Sequence, residues 1–260
     1  MHDPLNGFLE RLVALAPPDY SRINALVRQT CAKTLSLPPL PAEADVDGPA
    51  DDAESVAVEF AEQFSIDVAS VSDDLRARFT TALGGSAFPT AILTYFADFL
   101  PRVRAGFDAL GLPIPWSDDI VWAHDSDLGD VLFSQFLPGV AGLRELDPVT
   151  TEVVRLRGAA QHNCRMCQAR REDDALDAGG SELMYEQIER YDTADRLTDR
   201  QKAALRYVDA LIWTPAAIGP DIAAGVREHF TEAEAFELTV DVMHNAANKI
   251  AVSLAADAPT

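Results

Sequence analysis

The sequence predicts an all-α fold, and three observations carry that prediction. Apolar residues recur at three- and four-residue spacing over long segments, helix-start signals stand directly before those segments, and alternating runs that would mark strands are scarce. In "TDRQKAALRYVDALI" the residues Ala204, Leu205, Val208, Leu211 and Ile212 share one helical face. Thr198, with Gln201 three positions on, forms a capping box in front of it. Thr231 and Glu234 open "TEAEAFELTVDVMHNAANKIAVSLAA" in the same way. Asp147 followed by Pro148 opens a helix over "DPVTTEVVRLRGAAQ", because proline suits the first helical turn.

Between the helices, two stretches read as linkers. Residues 36–54, "SLPPLPAEADVDGPADDAE", combine prolines and acids with few large apolar side chains. Residues 110–130 are rich in proline and aspartate, and Trp116 and Trp122 suggest that part of this stretch packs down. A faint internal repeat relates the two halves at an offset of 147 residues. It lays "FAEQFSIDVASVSDDLRARF" on "YVDALIWTPAAIGPDIAAGV", and further along it sets Arg102 over Lys249. Upstream, more loosely and at a different offset of 133, Cys31 falls on Cys164, with no partner for Cys167. The expected organisation is a first helical unit over 1–110 that lacks the cysteine pair, a linker over 111–144, and a second unit over 145–260 that carries the chemistry. Trp213 is expected in the core, and His244 and Asn245 are expected to make interhelical hydrogen bonds.

Charge narrows the function classes. The chain has 21 basic against 42 acidic residues, a formal net charge of −21. Such a surface repels phosphate backbones and anionic headgroups, so neither nucleic acid nor a membrane is expected as a partner. No stretch approaches the ~20 apolar residues of a membrane span. The acids Asp3 and Glu10 sit where a secretory leader wants positive charge, and three cysteines do not make a disulfide framework. The protein is therefore expected in the cytoplasm. No glycine-rich phosphate loop is present, so no organic cofactor is expected.

Two of the three cysteines, Cys164 and Cys167, stand three positions apart in "QHNCRMCQARRED", among Arg165, Arg170 and Arg171. With Asn163 as N-cap, a helix through "CRMCQARREDDALDA" would stack Cys164, Cys167 and Arg171 on one face. A first helical turn and nearby cations both favour thiolate over thiol, which would restore nucleophilicity in an acidic protein. On that argument alone Cys164 is the better nucleophile, being closer to the helix start.

Glu152 precedes Cys164 by twelve positions, and Glu–x11–CxxC within "TEVVRLRGAAQHNCRMCQARR" resembles the alkylhydroperoxidase D (AhpD)-like branch of the carboxymuconolactone decarboxylase superfamily. The run from Leu197 to Leu254 is similar to that family's later helices, and the resemblance covers residues 145–257. It implies an AhpD-like helical bundle, here with two related units, that reduces peroxides or exchanges disulfides as an antioxidant peroxiredoxin-type oxidoreductase. It implies Cys167 as the attacking thiol, Cys164 as the resolving one, and Glu152 as anchor of a proton relay. It further implies a thiol reductant, small or protein-borne, and assembly into a homo-oligomer. One position departs from the family: the histidine usual four residues after the second cysteine is Arg171. Arginine stays protonated and cannot act as a base, so Arg171 is left to supply positive charge. His162 is a candidate substitute base.

Other readings remain open at this stage. His162, Cys164, Cys167 and Cys31 could together hold zinc. The fold could serve binding or assembly as a catalytically silent oligomer. Lactone decarboxylation, known elsewhere in the superfamily, does not depend on a CxxC.

Overall fold

The computed structural model describes residues 3–114, 116 and 119–258, so positions 115, 117 and 118 of the second linker lie outside the described residues. Among the described residues there is no strand; an isolated bridge joins Leu15 to Ala123. Helix α1 (Asp3–Val13) sends Leu9, Leu12 and Val13 into the core. Helix α2 (Ser21–Leu35) ends on Ser36 in a left-handed conformation, φ 56°. The acidic linker that follows is irregular but packed: Leu40 and Val46 are buried, and the fully buried Arg28 donates to the carbonyls of Leu15 and Pro41. Trp122 of the second linker faces the Arg28 guanidinium, whose carbon is 5.9 Å from the ring centroid.

Asp51 caps α3 (Asp52–Ile66) by accepting from the Glu54 amide at 2.8 Å, so the helix begins just inside the stretch expected to be linker. Ser72 caps α4 (Asp73–Leu83). Helix α5 (Ala87–Leu110) is buried around nearly its whole circumference, as a central helix must be, and ends at Gly111 with φ 74°. A seven-residue π-helical segment, Asp130–Phe136, leads into the short α6 (Leu137–Ala141).

The second half runs through α7 (Pro148–Gln161), three short helices α8 (Arg165–Ala169), α9 (Asp173–Asp177) and α10 (Glu182–Tyr185), then α11 (Asp199–Trp213), α12 (Pro220–His229), α13 (Glu232–Ala246) and α14 (Asn248–Ser253). Asp147 caps α7, and both capping boxes form, at Thr198/Gln201 and Thr231/Glu234. The C-terminal apolar stretch is two helices rather than one, broken at Ala247. Trp213 is 46% exposed instead of buried: it ends α11 at the surface, and its indole N–H donates to Gln161 at 2.6 Å.

Shifted by 147 residues, α3 falls end to end on α11, and the 3-10 turn Val68–Ser70 falls on Pro215–Ala217. The same shift starts α4 where α12 starts. α2 packs on α3 and α5, and α7 packs on α11 and α13. α5 packs against α13, and one hydrophobic cluster runs from Leu9 to Val252 across both halves.

A buried ionic cluster sits where the halves meet. Asp98 accepts from Arg102 at 2.8 Å and from Lys249 at 2.5 Å, and all three are essentially inaccessible to solvent. The Arg102 guanidinium also donates to the carbonyls of Ser65, Leu211 and Ile212, so one side chain satisfies last-turn acceptors of both α3 and α11. Cys31 lies beside this cluster, 3.9 Å from the Thr94 carbonyl; burial, followed by the charge of Asp98, pushes its thiol up to about 12.

Candidate active site

The cysteine pair is a disulfide, Cys164–Cys167, with Cα atoms 5.3 Å apart. The backbone reaches it by a helix start one residue later than the spacing predicts. Asn163, expected as N-cap, takes a left-handed conformation with φ 53°, and Cys164 itself caps α8. The helix expected to run on through Arg171 stops at Ala169, with Arg170 extended at ψ 147°. Guanidinium groups account for the break: Arg155 donates to the Arg170 carbonyl at 2.8 Å, and Arg171 takes the Gln168 carbonyl at 2.6 Å. Acceptors that would continue the helical ladder are thereby satisfied sideways.

Arg171 consequently does not stack above the cysteines. It forms a two-pronged pair with Glu182 at 2.7 and 2.9 Å and lies 5.5 Å from the Tyr185 ring centroid. The other local arginines are paired too, Arg165 with Asp257 and Arg170 with Glu172. The cation that touches the motif is Arg155, one turn after Glu152 on α7, which donates to the Cys167 carbonyl at 2.9 Å. Glu152 is buried and holds Arg155 with contacts of 2.6 and 2.8 Å, while also accepting from the Glu172 amide at 3.4 Å. Glu152 therefore fixes the cysteine loop through Arg155. The signal that could have found Arg155 was its position three residues after Glu152 on the same helical face.

The two cysteines differ in access. Cys164 is fully buried, whereas Cys167 is half-buried and lines a cleft of about 680 Å³ with Phe133, Met166, His244, Asn245 and Asn248. A second cleft of about 380 Å³ shares the Arg155, Arg170, Glu172, His244 and Asn245 walls and adds Glu152, Glu237 and Asp241. His244 and Asn245, expected to make interhelical hydrogen bonds, line both clefts. Burial lowers the His244 pKa, with Asn245 partly opposing the shift, so the imidazole is neutral near pH 7.

His162, the candidate substitute base, is not among the residues lining the Cys167 cleft. Its ring stands edge-on to Phe99 and its Nδ1 is 2.9 Å from the Asn248 side-chain oxygen, on the side facing Lys249 and Asp98. Burial, followed by the charge of Lys249, pushes its pKa down to about 3. The unfolded chain binds a proton near pH 6.5 that the folded chain refuses. Stability from this residue is complete above pH 6.5 and is lost as pH falls through the window toward 3. The expected slope is up to about 1.4 kcal/mol per pH unit. Urea unfolding at pH 7, 6 and 5, read as the difference between this chain and His162→Gln, checks it, because His244 acts with the same sign and the raised carboxyls of Asp241 and Glu237 with the opposite sign in that window.

Among the described residues no group of three or more His, Cys, Asp or Glu side chains converges as a metal site. The four residues considered for zinc are dispersed: Cys164 and Cys167 are bonded to each other, Cys31 is in the core, and His162 is engaged by Asn248. No described helix is long and apolar enough to cross a membrane.

No protein-family model and no solved structure matches the chain. It is 56% identical over 253 residues to the uncharacterized proteins MT2376 and Rv2313c of Mycobacterium tuberculosis, a match covering 96% of this chain and 89% of each relative. The site and the fold described above thus belong to a chain that is a member of the family of these two mycobacterial proteins.

Proposed function

We propose that the chain is a thiol-dependent peroxidase or disulfide reductase of AhpD-like type, working through Cys164 and Cys167. The observation that carries the reading is the asymmetry of the pair: a half-buried Cys167 on a cleft wall, bonded to a fully buried Cys164. In the reduced protein, the Cys167 thiolate attacks the outer peroxide oxygen and breaks the O–O bond. The released alkoxide takes a proton and leaves as alcohol, or as water from hydrogen peroxide, and Cys167 becomes a sulfenic acid. The Cys164 thiol condenses with it, releasing water and forming the disulfide. An external dithiol or two small thiols then reduce that disulfide by exchange. With a disulfide substrate, Cys167 attacks sulfur in place of oxygen and Cys164 resolves the mixed disulfide.

Roles differ from those the family resemblance implied at two positions. Glu152 acts as a positioning residue, holding Arg155 against the Cys167 carbonyl. The proton acceptor is His244, whose neutral imidazole shares the cleft wall with Cys167 and takes the place of the family histidine replaced by Arg171. Such chemistry suits a reducing cytoplasm, where a CxxC disulfide is catalytic more often than structural.

The test is thiol labelling of the native, reduced protein followed by mass spectrometry. Cys167 should alkylate first, Cys164 more slowly, and Cys31 only after denaturation. Brief peroxide treatment should restore the bond and remove two daltons from the peptide holding both cysteines. His244→Gln should slow Cys167 labelling near neutral pH by about a hundredfold, the low end for a general base. Labelling of all three cysteines only on denaturation would sink the reading and leave a helical scaffold that binds or assembles without redox turnover.

A further inference from the structure

The smaller cleft holds a group that the redox chemistry does not use. Asp241 lies in the middle of α13 and is 5% exposed, and its Oδ2 has no hydrogen-bond partner. An ionised carboxylate in such a place costs several kcal/mol unless a cation or donors compensate it. Neither is at hand. Arg144 is the cation whose charge bears on it, and the Nη1 of that guanidinium donates to the carbonyls of Ala141 and Leu143 rather than to Asp241. Glu237, four residues earlier on the same helix, is a second carboxyl that opposes ionisation, and its own oxygen is occupied by the Glu145 amide at 2.6 Å. Burial first, and Glu237 second, raise the Asp241 pKa well above the carboxylate range. A protonated carboxyl is a hydrogen-bond donor as well as an acceptor. Around it the cleft wall is apolar, with Val140, Leu143, Leu146 and Ala175.

We propose that this cleft binds a neutral, amphiphilic organic molecule whose carbonyl or hydroxyl oxygen accepts a hydrogen bond from the Asp241 carboxyl group, with its apolar body against Val140, Leu143 and Ala175. A volume of about 380 Å³ suits a small organic ligand. On the wall Arg155 pairs with Glu152 and Arg170 with Glu172, so these charges largely offset each other and favour neither an anion nor a cation. A cation would have to ionise Asp241 in an apolar surrounding to gain its pairing energy. The inference concerns occupancy of the cleft and does not depend on turnover by the cysteines.

The test uses the oxidised protein and a size-matched set of probes: acetophenone as the neutral carbonyl, benzoate as the anion and benzylamine as the cation. Ligand-observed NMR or calorimetry should show saturable binding of acetophenone and none of the charged pair. Asp241→Asn keeps a neutral donor and should retain that affinity. Asp241→Leu removes the donor and should weaken binding about tenfold, the equivalent of one lost hydrogen bond. Infrared difference spectra of the unliganded protein should show a carboxylic acid C=O band that Asp241→Asn removes. Preferential binding of benzylamine, unchanged affinity in Asp241→Leu, no saturable binding of acetophenone, or the lack of that infrared band would each overturn the proposal. Peroxide turnover is read separately, so a failed redox assay leaves these outcomes intact.

Discussion

Asp98→Asn should lower the unfolding free energy by about 3–5 kcal/mol, because it leaves two cations in the core without their carboxylate. Arg102 and Lys249 both reach Asp98, and neither is solvated. The Arg102 guanidinium would keep the carbonyls of Ser65, Leu211 and Ile212, which cannot neutralise it. Lys249 would keep only its approach to the rings of Phe64 and Phe99, at 4.5 and 5.4 Å from their centroids. Lys249→Met should cost distinctly less, since it leaves Asp98 paired with Arg102. The order of the two variants in urea or thermal melts is the measurement. Equal losses would mean that burial volume, not charge balance, sets the stability of this cluster. Asp98 carries the further signature of a depressed pKa, held down by Arg102 and Lys249 against its burial. Its contribution is thus present at neutral pH and is lost only in strong acid.

Cys167→Ser should abolish peroxide turnover by about a thousandfold or more, the scale of losing a nucleophile. Cys164→Ser should behave differently. Its Cys167 can still attack once, so a rapid-mixing assay should show a burst of one equivalent of peroxide per chain and then arrest. Dimedone should trap the sulfenic acid on Cys167 in that variant and nowhere in Cys167→Ser. A burst from Cys167→Ser instead would exchange the two roles and return the nucleophile to the buried thiol. Circular dichroism controls for folding in both cases, because neither sulfur contributes to the helical ladder beyond the cap of α8, where Cys164 accepts from the Cys167 amide at 3.3 Å.

The helices were legible because their signals are local. Capping boxes at Thr198 and Thr231 and the Asp147–Pro148 start need only four neighbouring residues, and all three form where the spacing predicts. The end of the cysteine helix was not legible, because partners distant in sequence decide it: Arg155 reaches across fifteen residues to the Arg170 carbonyl. Arg171 illustrates the same limit. Its spacing from Cys167 suggested a shared face, but Glu182 holds it elsewhere. Trp213 is expected in the core, but its N–H wants a partner and finds one in Gln161 at the surface. For the clefts, the sequence named Glu152 and Cys167 but not Asp241, whose position on the inner face of α13 reads like any polar interruption of an apolar run.

The register of 147 residues between the halves has a consequence for the charge at the centre. When two identical chains meet about a two-fold axis, whatever one places near the axis the other must place there too. An aspartate at the central position would then face its own copy, and like charges would oppose each other in a dry interior. Here the counterpart of Asp98 is Asn245, and the counterpart of Arg102 is Lys249. One carboxylate therefore serves two different cations, an uneven stoichiometry that exact symmetry forbids. Because the two halves of this chain differ in sequence, no position has to suit two places at once. The counterpart of the central aspartate is then free to face a cleft, and one half can keep a thiol pair while the other buries a single inert cysteine.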